Sequence, residues 1–285
     1  MNPLFSSEHY IGLISLGFAT GAYGTLIGAG GGFVLMPILL LIYPDKNPEI
    51  LTSISLAVVF FNALSGSESY AHMKRIDYKS GMIFAAATIP GAVIGALNTG
   101  YVPRRVFDVI FGSFISFIAI FLLFHPETKQ RPRRQKEERT FLFRMRRHIR
   151  EADGQRFCYS FNPLVGVLIS FFVGYVSSFL GIGGGIIHVP ALVYLLHFPV
   201  HIATATSHFI LAIMALTGTM VHILTGTFSH GVHQTISLSI GVVIGAQVGA
   251  HLSNHLKGKW IIKSLAIALI VLGVRILTVA IGNGQ

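Results

Sequence analysis

The sequence predicts an all-α integral membrane protein made of two five-segment halves that repeat in inverted orientation. The first observation is composition: 52% of the 285 residues are hydrophobic and 11% are charged, whereas an ordinary soluble domain carries about 25% charged residues. The second is a series of long apolar segments, with a mean hydropathy of +0.67 for the chain. The third is a glycine-rich stretch that interrupts these segments once in each half. These observations place most of the chain in a lipid bilayer.

Ten apolar segments divide the chain, five on each side of a basic central stretch. Most approach the roughly 20 residues that an α-helix needs to cross a bilayer. The segments that follow the two glycine-rich stretches are shorter and predict half-helices. The segments lie at 9–27, 30–43, 50–66, 80–98, 105–124, 163–181, 184–196, 202–225, 232–252 and 260–281. We expect a first transmembrane repeat at 1–125, a basic cytoplasmic loop at 126–160 and a second repeat at 161–285.

The two halves align in three blocks, which predicts an internal duplication. The offsets are 153, 152 and 150 residues, for Gly28–Gly32 with Gly181–Gly185, Ile50–Gly66 with Ile202–Gly218, and Gly91–Ala96 with Gly241–Ala246. Because five segments per half is an odd number, the second half enters the membrane from the opposite face. Lysine and arginine are more frequent on one face, and the positive-inside rule makes that face cytoplasmic and puts both termini outside.

The glycine-rich stretches are the strongest indication of a binding site. Each glycine destabilises a helix by about 1 kcal/mol relative to alanine, and breaks at matching places in two halves point to a transporter's binding site. A half-helix that begins in a break directs free N–H groups and the positive end of its dipole towards an anion. Close helix crossing, the alternative, is the better interpretation for Gly91, Gly95, Gly241 and Gly245. The predicted substrate-binding glycines are Gly30, Gly31, Gly32, Gly183, Gly184 and Gly185.

Uncharged polar side chains lie at the start of the segment after each broken pair. Hydroxyl groups can bind an oxyanion without a buried cation, although capping and helix–helix hydrogen bonds account for any single one equally well. No carboxylate pair is present for a common proton relay, so histidine is the remaining titratable candidate. His188 and His208 are candidates for proton coupling, and a histidine satisfied inside the bundle is the alternative. The predicted substrate-binding side chains are Ser53, Ser55, Thr206, Ser207 and His208.

Several classes of protein have no support in the sequence. It contains no Gly-x-x-x-x-Gly-Lys-[Ser/Thr] motif, no nucleophile elbow and no HExxH motif, so we expect neither a P-loop ATPase nor an enzyme of these kinds. The single cysteine, Cys158, excludes a relay of paired thiols. His222, His230 and His233 lack a metal-ligand spacing. We predict no catalytic residue, no cofactor and no metal.

The basic central stretch explains the net charge of +10, since 11 of the 21 lysines and arginines lie at 126–160. We therefore expect no nucleic-acid partner. Phe141, Leu142, Met145 and Ile149 recur at helical spacing among arginines, which predicts a basic amphipathic helix on the anionic cytoplasmic leaflet. A solvated linker between the repeats is a compatible alternative.

The motifs resemble the sulfite exporter family named for TauE and SafE, also called TSUP. The resemblance rests on the doubled Gly-x-Gly-Gly-Gly-x4-Pro motif and on Ser55–Val58, Ala63–Gly66, Pro90–Gly95 and Ala205–Ser207. It implies a secondary transporter of sulfur-containing anions, such as sulfite and sulfonates, and in some members of other organic anions. The chain departs from the family's usual Thr-Ser-Leu, because Ile54 replaces the threonine in one half and His208 replaces the leucine in the other.

The sequence therefore predicts a multi-pass plasma-membrane transporter of a small sulfur-containing oxyanion that works by alternating access. An anion channel and a transporter of another small organic anion are the nearest alternatives. An intramembrane enzyme that uses the histidines and a non-transporting assembly factor are alternatives from other classes.

Overall fold

The computed structural model describes residues 7–124, 145–152, 154–253, 267 and 269–278. Helices dominate these ranges, and one antiparallel hairpin lies between the halves. The helices and strands are α1 (Ser7–Ile27), α2 (Gly32–Ile42), α3 (Pro48–His72), α4 (Tyr78–Thr99), α5 (Arg104–Phe124), β1 (Met145–Arg150), β2 (Arg156–Phe161), α6 (Pro163–Leu180), α7 (Gly185–Pro190) with a π-helical turn (Ala191–Leu195), α8 (Val200–Leu224), a 3-10 turn (Thr227–Gly231), α9 (Val232–Leu252) and α10 (Leu269–Thr278).

Six helices in the described ranges are long and apolar enough to cross a membrane: α1, α3, α4, α6, α8, and α9 with the 3-10 turn before it. Each helix exposes part of its apolar side chains on the outer surface, as Leu168 at 62% and Phe172 at 63% exposure show for α6. Their hydroxyl groups face inwards, since Ser53 and Ser55 are fully buried. The predicted class, a helical multi-pass membrane protein, is confirmed, and α2, α7 and α10 are the shorter apolar helices.

The two halves pack across one another. α1 lies along α9, α4 lies along α6, and α3 packs against α8 at the centre. α3 also contacts α9, and α8 contacts α4. Exchanging the two halves converts α1–α9 into α4–α6 and α3–α9 into α4–α8, and it leaves the central α3–α8 pair unchanged. The short helices α2 and α7 pack on α3 and α8 respectively, so the core of the bundle contains both.

Glycines allow the outer pairs to touch backbone to backbone. A Cβ atom at Gly91 would lie 2.9 Å from the Tyr175 amide nitrogen, and one at Gly241 would lie 2.7 Å from that of Phe18. Any larger residue would push α4 away from α6 or α9 away from α1. These glycines serve helix packing, as their spacing predicts.

The central stretch departs from the sequence prediction. Residues 145–150 were expected in an amphipathic helix but form strand β1, which pairs with β2 in the register Arg147 to Tyr159. The predicted helical positions Phe141 and Leu142 lie outside the described residues. The prediction was wrong for Met145 and Ile149 because they alternate with the exposed Arg146, His148 and Arg150 at the two-residue period of a strand.

The hairpin is docked by its inner face. The Tyr159 and Phe161 rings pack on Phe198, with centroids 4.5 and 5.0 Å apart, and Phe161 also contacts Phe84 of α4. At its tip, Glu151 forms an ion pair of 2.8 Å with Arg75 in the α3–α4 turn. The hairpin is therefore part of the packed structure where α4 meets the entry to α8.

Candidate functional site

The first glycine loop, Gly28–Gly31, turns the chain from α1 into α2. Gly28, Gly30 and Gly31 have φ angles of +82°, +76° and +75°, a left-handed backbone that side chains other than glycine adopt only with strain. The carbonyl of Gly24 accepts hydrogen bonds from the amides of Ala29, at 2.8 Å, and Gly30, at 3.2 Å. α2 then begins with Gly31 as its N-cap, where no side chain caps it.

The second glycine loop, Gly181–Gly184, turns the chain from α6 into α7. Gly181 and Gly183 share a φ angle of +69°, so the helix breaks at the same positions in both halves. The amide of Gly184 donates to the Ser177 hydroxyl, and that of Gly185 donates to the carbonyl of Gly183. α7 has only 6 residues before it widens into a π-helical turn, so the second half-helix is less regular than the first.

The two glycine loops meet in the bundle. A Cβ atom at Gly32 would lie 2.7 Å from the carbonyl oxygen of Ile182, and one at Gly185 would lie 2.5 Å from Cα of Ala29. Val59 of α3 touches both loops, because its side chain is the nearest neighbour of Gly32 and Gly183. The structure thus brings the six predicted glycines into one region, made jointly by the two halves.

Three of the predicted hydroxyl groups have partners in the fold. Ser55 donates to the carbonyl of Gly181 at 2.6 Å and ties α3 to the second loop. Ser53 donates to Ile50 of its own helix at 2.7 Å. Thr206 accepts the amide of Asp77 at 3.0 Å, in the α3–α4 turn. These bonds match the structural alternative that the sequence left open for each hydroxyl.

Ser207 and the two candidate histidines are all buried. The Ser207 hydroxyl has no hydrogen-bond partner among the described residues. His188 lies 3.0 Å from the Ser170 hydroxyl, which itself donates to the carbonyl of Gly166. The His188 Nε2 must therefore be the donor, and this ring has a partner inside the bundle. His208 lies beside the first loop instead, with Nε2 3.3 Å from the Thr25 hydroxyl.

A polar cluster that sequence reasoning missed surrounds His208. Thr25 of α1 donates to the amide oxygen of Asn62 at 2.9 Å, and the Tyr70 hydroxyl donates to the Thr25 carbonyl at 2.8 Å. The Tyr70 ring meets the His208 ring edge-on, with centroids 5.6 Å apart. Asn62 was the available signal, since a carboxamide in the middle of an apolar segment needs a polar partner.

The amides at the start of α2 offer the donors that an anion requires. Gly31, Gly32 and Phe33 form the open first turn, and no acceptor for their N–H groups occurs in the part of the chain that the structure describes. In the second loop, two of the corresponding amides are used internally, as described above. The arrangement can hold a small anion through backbone and uncharged side-chain donors.

Comparison with known proteins identifies a family and several relatives. The family model described as sulfite exporter TauE/SafE matches residues 13–276. A probable membrane transporter protein of Bacillus subtilis, YunE, is 32% identical over 274 residues, which cover 94% of this chain and 97% of the relative. A probable membrane transporter protein of Methanocaldococcus jannaschii is 26% identical over 221 residues, 75% of this chain and 73% of the relative.

No solved structure matches the chain at a significant level. The family match spans both halves and includes both glycine loops. The relatives are described as membrane transporters and not as enzymes. The chain therefore belongs to the sulfite exporter TauE/SafE family of membrane transporters.

Proposed function

We propose that this protein is a secondary transporter that moves a small sulfur-containing oxyanion, such as sulfite or a sulfonate, by alternating access. The description of the family names sulfite as the exported anion, which supports a substrate of this class. The site supports an oxyanion because its donors are backbone amides and uncharged side chains, which suit oxygen acceptors. Another small organic anion would satisfy the same donors, so the assay includes carboxylates.

The contact between the two glycine loops carries this proposal. Each loop is a helix break in its own half. The backbones of the two loops are in contact, Gly32 with Ile182 and Gly185 with Ala29. A break at the junction of two repeats is where transporters commonly bind substrate. In this position a ligand contacts both halves, so relative movement of the halves changes its access.

The proposed movement is a rocking of one half against the other. We take the two halves to be inverted repeats, as the odd number of segments predicts. The outer pairs α1–α9 and α4–α6 are joined through glycine contacts, which present smooth backbone surfaces that can slide over small distances. Such movement would open the loops first to one face and then to the other.

Proton coupling would use His208 rather than His188. His208 lies beside the first loop and contacts Thr25, whereas His188 is held by Ser170 at 3.0 Å. Neutral His208 can accept a proton when an anion binds. Burying the anion together with a protonated histidine costs less free energy than burying the anion alone. An imposed pH gradient that drives uptake in the wild type but not in His208→Gln would support this role.

Flux into proteoliposomes tests the function. Purified protein is reconstituted, and uptake of labelled sulfite, thiosulfate, sulfate, methanesulfonate and acetate is measured with and without a pH gradient. A transporter shows saturable uptake of at least one oxyanion and counterflow against its gradient. A channel shows only downhill flux that does not saturate, and an assembly factor shows neither flux nor binding.

Substitutions of the loop glycines test the site. Gly31→Val introduces a Cβ 2.6 Å from the Thr20 carbonyl at a φ of +75°, and Gly184→Val introduces one 2.9 Å from Val173. We expect each to lower flux by at least about tenfold, because the first turn of the half-helix must shift.

Gly12→Ala is the matched control, since a Cβ at Gly12 in α1 has no neighbour within 4 Å. Gel filtration shows whether each variant is folded. Wild-type flux in the folded Gly31→Val and Gly184→Val proteins would exclude the loops from the mechanism.

A further inference from the structure

The two halves differ chemically where their structures match. By the alignment that relates the halves at an offset of 152, Asn62 corresponds to Met214 and Leu56 corresponds to His208. Thr25 corresponds to Ser178 at an offset of 153, so a hydroxyl is present in both. The first loop is therefore surrounded by a carboxamide and an imidazole. The matching positions around the second loop carry a thioether and an alkyl group.

The structure confirms that these side chains occupy matching places. A Cβ atom at Gly31 would lie 3.6 Å from the amide nitrogen of Asn62. At the corresponding Gly184, the Met214 sulfur would lie 3.3 Å from the Cβ. Each loop thus faces the same position of the following long helix, but only the first loop meets a hydrogen-bond donor there.

The structure places the Asn62 oxygen against Thr25 and the NH2 group towards the loop. The Thr25 hydroxyl donates its proton to the Asn62 oxygen at 2.9 Å, so it can only accept from His208 Nε2 at 3.3 Å. The Asn62 oxygen is thereby occupied. Its NH2 group is left without a hydrogen-bond partner in the described part of the chain, although Asn62 is 0% exposed. A buried donor in this state costs free energy until a ligand accepts from it.

We propose that the protein has one off-centre ligand site, at the first loop, where Asn62 Nδ2 and the first-turn amides of α2 bind a monovalent oxyanion. This rests on the proposed function and narrows it. The second loop has a structural role instead of a binding role, because its Gly184 and Gly185 amides already donate to Ser177 and Gly183. Thr25 and His208 are positioning residues, which hold the Asn62 carboxamide in the binding orientation.

The charge of the ligand follows from the donors. In the described part of the chain, no hydrogen bond or ion pair of Thr25, Asn62 or His208 involves a charged residue. Neutral donors can solvate a single negative charge, but the desolvation penalty grows with the square of the charge, about fourfold for a dianion. A sulfonate or hydrogensulfite therefore fits this site better than sulfate.

Binding to purified full-length protein tests the proposal, with methanesulfonate as the monovalent probe and sulfate as the divalent one. We expect methanesulfonate to bind more tightly. Asn62→Met, which copies the second half, should weaken its binding by about 10- to 100-fold, the usual effect of losing a hydrogen bond to a charged group. Asn62→Asp keeps the shape and the acceptor for Thr25, and in its ionised form it has no donor and repels an anion, so it should weaken binding more at high pH than at low pH. The matched control is Met214→Leu, which should stay within about twofold of the wild type.

The positioning role has its own test. His208→Leu should weaken methanesulfonate binding, whereas His208→Gln, whose amide can replace the Nε2–H donor, should restore most of it. A merely space-filling histidine would show no such rescue. Tight sulfate binding, or unchanged methanesulfonate affinity in folded Asn62→Met, would overturn the proposal while the transport function stands. A wild-type protein that neither binds nor moves any oxyanion would overturn both.

Discussion

Asp77, in the turn before α4, accepts hydrogen bonds from three other residues. They are Arg147, through Nε at 2.9 Å and Nη2 at 2.5 Å, the Tyr159 hydroxyl at 2.7 Å, and Ser80 through its amide and hydroxyl. Burial alone would raise the pKa of Asp77, but these donors outweigh it and hold the pKa below its ordinary value of 3.8. At the level of single residues, this carboxylate joins the hairpin to the transmembrane bundle.

The lowered pKa has a consequence for the pH dependence of hairpin docking. A carboxyl group whose folded-state pKa is depressed stabilises the fold above its unfolded pKa, about 3.9, and that stability is lost as pH falls through the folded value. We expect the protection factors for hydrogen exchange at residues 145–150, which correct for the intrinsic pH dependence of exchange, to stay high from pH 8 to pH 5 and to fall only below about pH 4. A fall in protection near pH 6 would show that another group controls docking.

Asp77→Asn removes the charge and leaves Arg147 without its partner. Loss of one member of a buried ion pair costs about 3–5 kcal/mol, and the lower end applies because the Arg147 side chain is 18% exposed. Trypsin should then cut after the exposed Arg146 and Arg150 much faster than in the wild type. The control is Asp45→Asn, which removes the same charge from an exposed position. Equal cleavage rates in the two variants would contradict the assignment.

Single residues also show where sequence reasoning reached its limit in the site. The glycine loops were predicted correctly as helix breaks, because three consecutive glycines strongly destabilise a helix even inside an apolar run. Thr25, Asn62 and Tyr70 were missed, since an isolated polar residue in a long apolar helix has no periodic signal and its partner lies on another helix. Ser53 and Thr206 were proposed for substrate, but their hydrogen bonds are to the fold.

At the level of elements, Arg104 at the start of α5 terminates the half-helix α2. Its guanidinium donates to the carbonyls of Leu40 at 2.8 Å and Lys46 at 2.7 Å, and it also reaches those of Tyr43 and Pro44. Asp108, one helical turn later, holds the guanidinium through Nε at 2.9 Å. A half-helix of 11 residues is marginal alone, so this cap stabilises the element that carries the proposed anion site.

Arg104→Lys should lower the melting temperature of the purified protein and the flux together. An ammonium group cannot reproduce the fork that spans these carbonyls, and we expect a loss of about 1–3 kcal/mol. Arg105→Lys, at the neighbouring exposed position, serves as the control. Thermal unfolding in detergent measures the stability difference. Equal melting temperatures for the two variants would show that the cap is dispensable.

The hairpin is the element for which the sequence misled. Met145 and Ile149 are four residues apart, a spacing that fits both one face of a helix and one face of a strand. The strand is determined by its pairing with β2, where Phe157, Tyr159 and Phe161 alternate with the more exposed Cys158 and Ser160 and supply the other half of the apolar face. A pattern confined to the first strand could not reveal this pairing.

At the level of the whole molecule, the fold class and the segment order followed from composition and repeated glycines. The topology in the membrane remains a proposal: we propose that the hairpin is cytoplasmic and that both termini lie outside. The basis is the concentration of arginine and lysine at 126–160. The anionic leaflet is its proposed lipid partner, through the exposed arginines of β1.

Cys158 allows a direct test of this orientation. It is the only cysteine of the chain and is exposed on β2. A membrane-impermeant maleimide should label it in inside-out vesicles and leave it unlabelled in intact cells. Permeabilised cells provide the positive control, and Cys158→Ser provides the blank. Labelling of intact cells would reverse the proposed topology.

The pairing of α1 with α9 has a consequence for how the protein is made. α1 is synthesised first, but residues 28–231 must follow before its main neighbour begins. At the usual 5–20 residues per second this takes on the order of 10 to 40 seconds. During that time Gly17 and Gly21, which finally receive the backbone of Leu238 and Val242, face lipid or an insertion chaperone. If synthesis stops before α9, α1 therefore stays in the bilayer without its packing partner. Membrane proteases can then recognise and remove the incomplete chain.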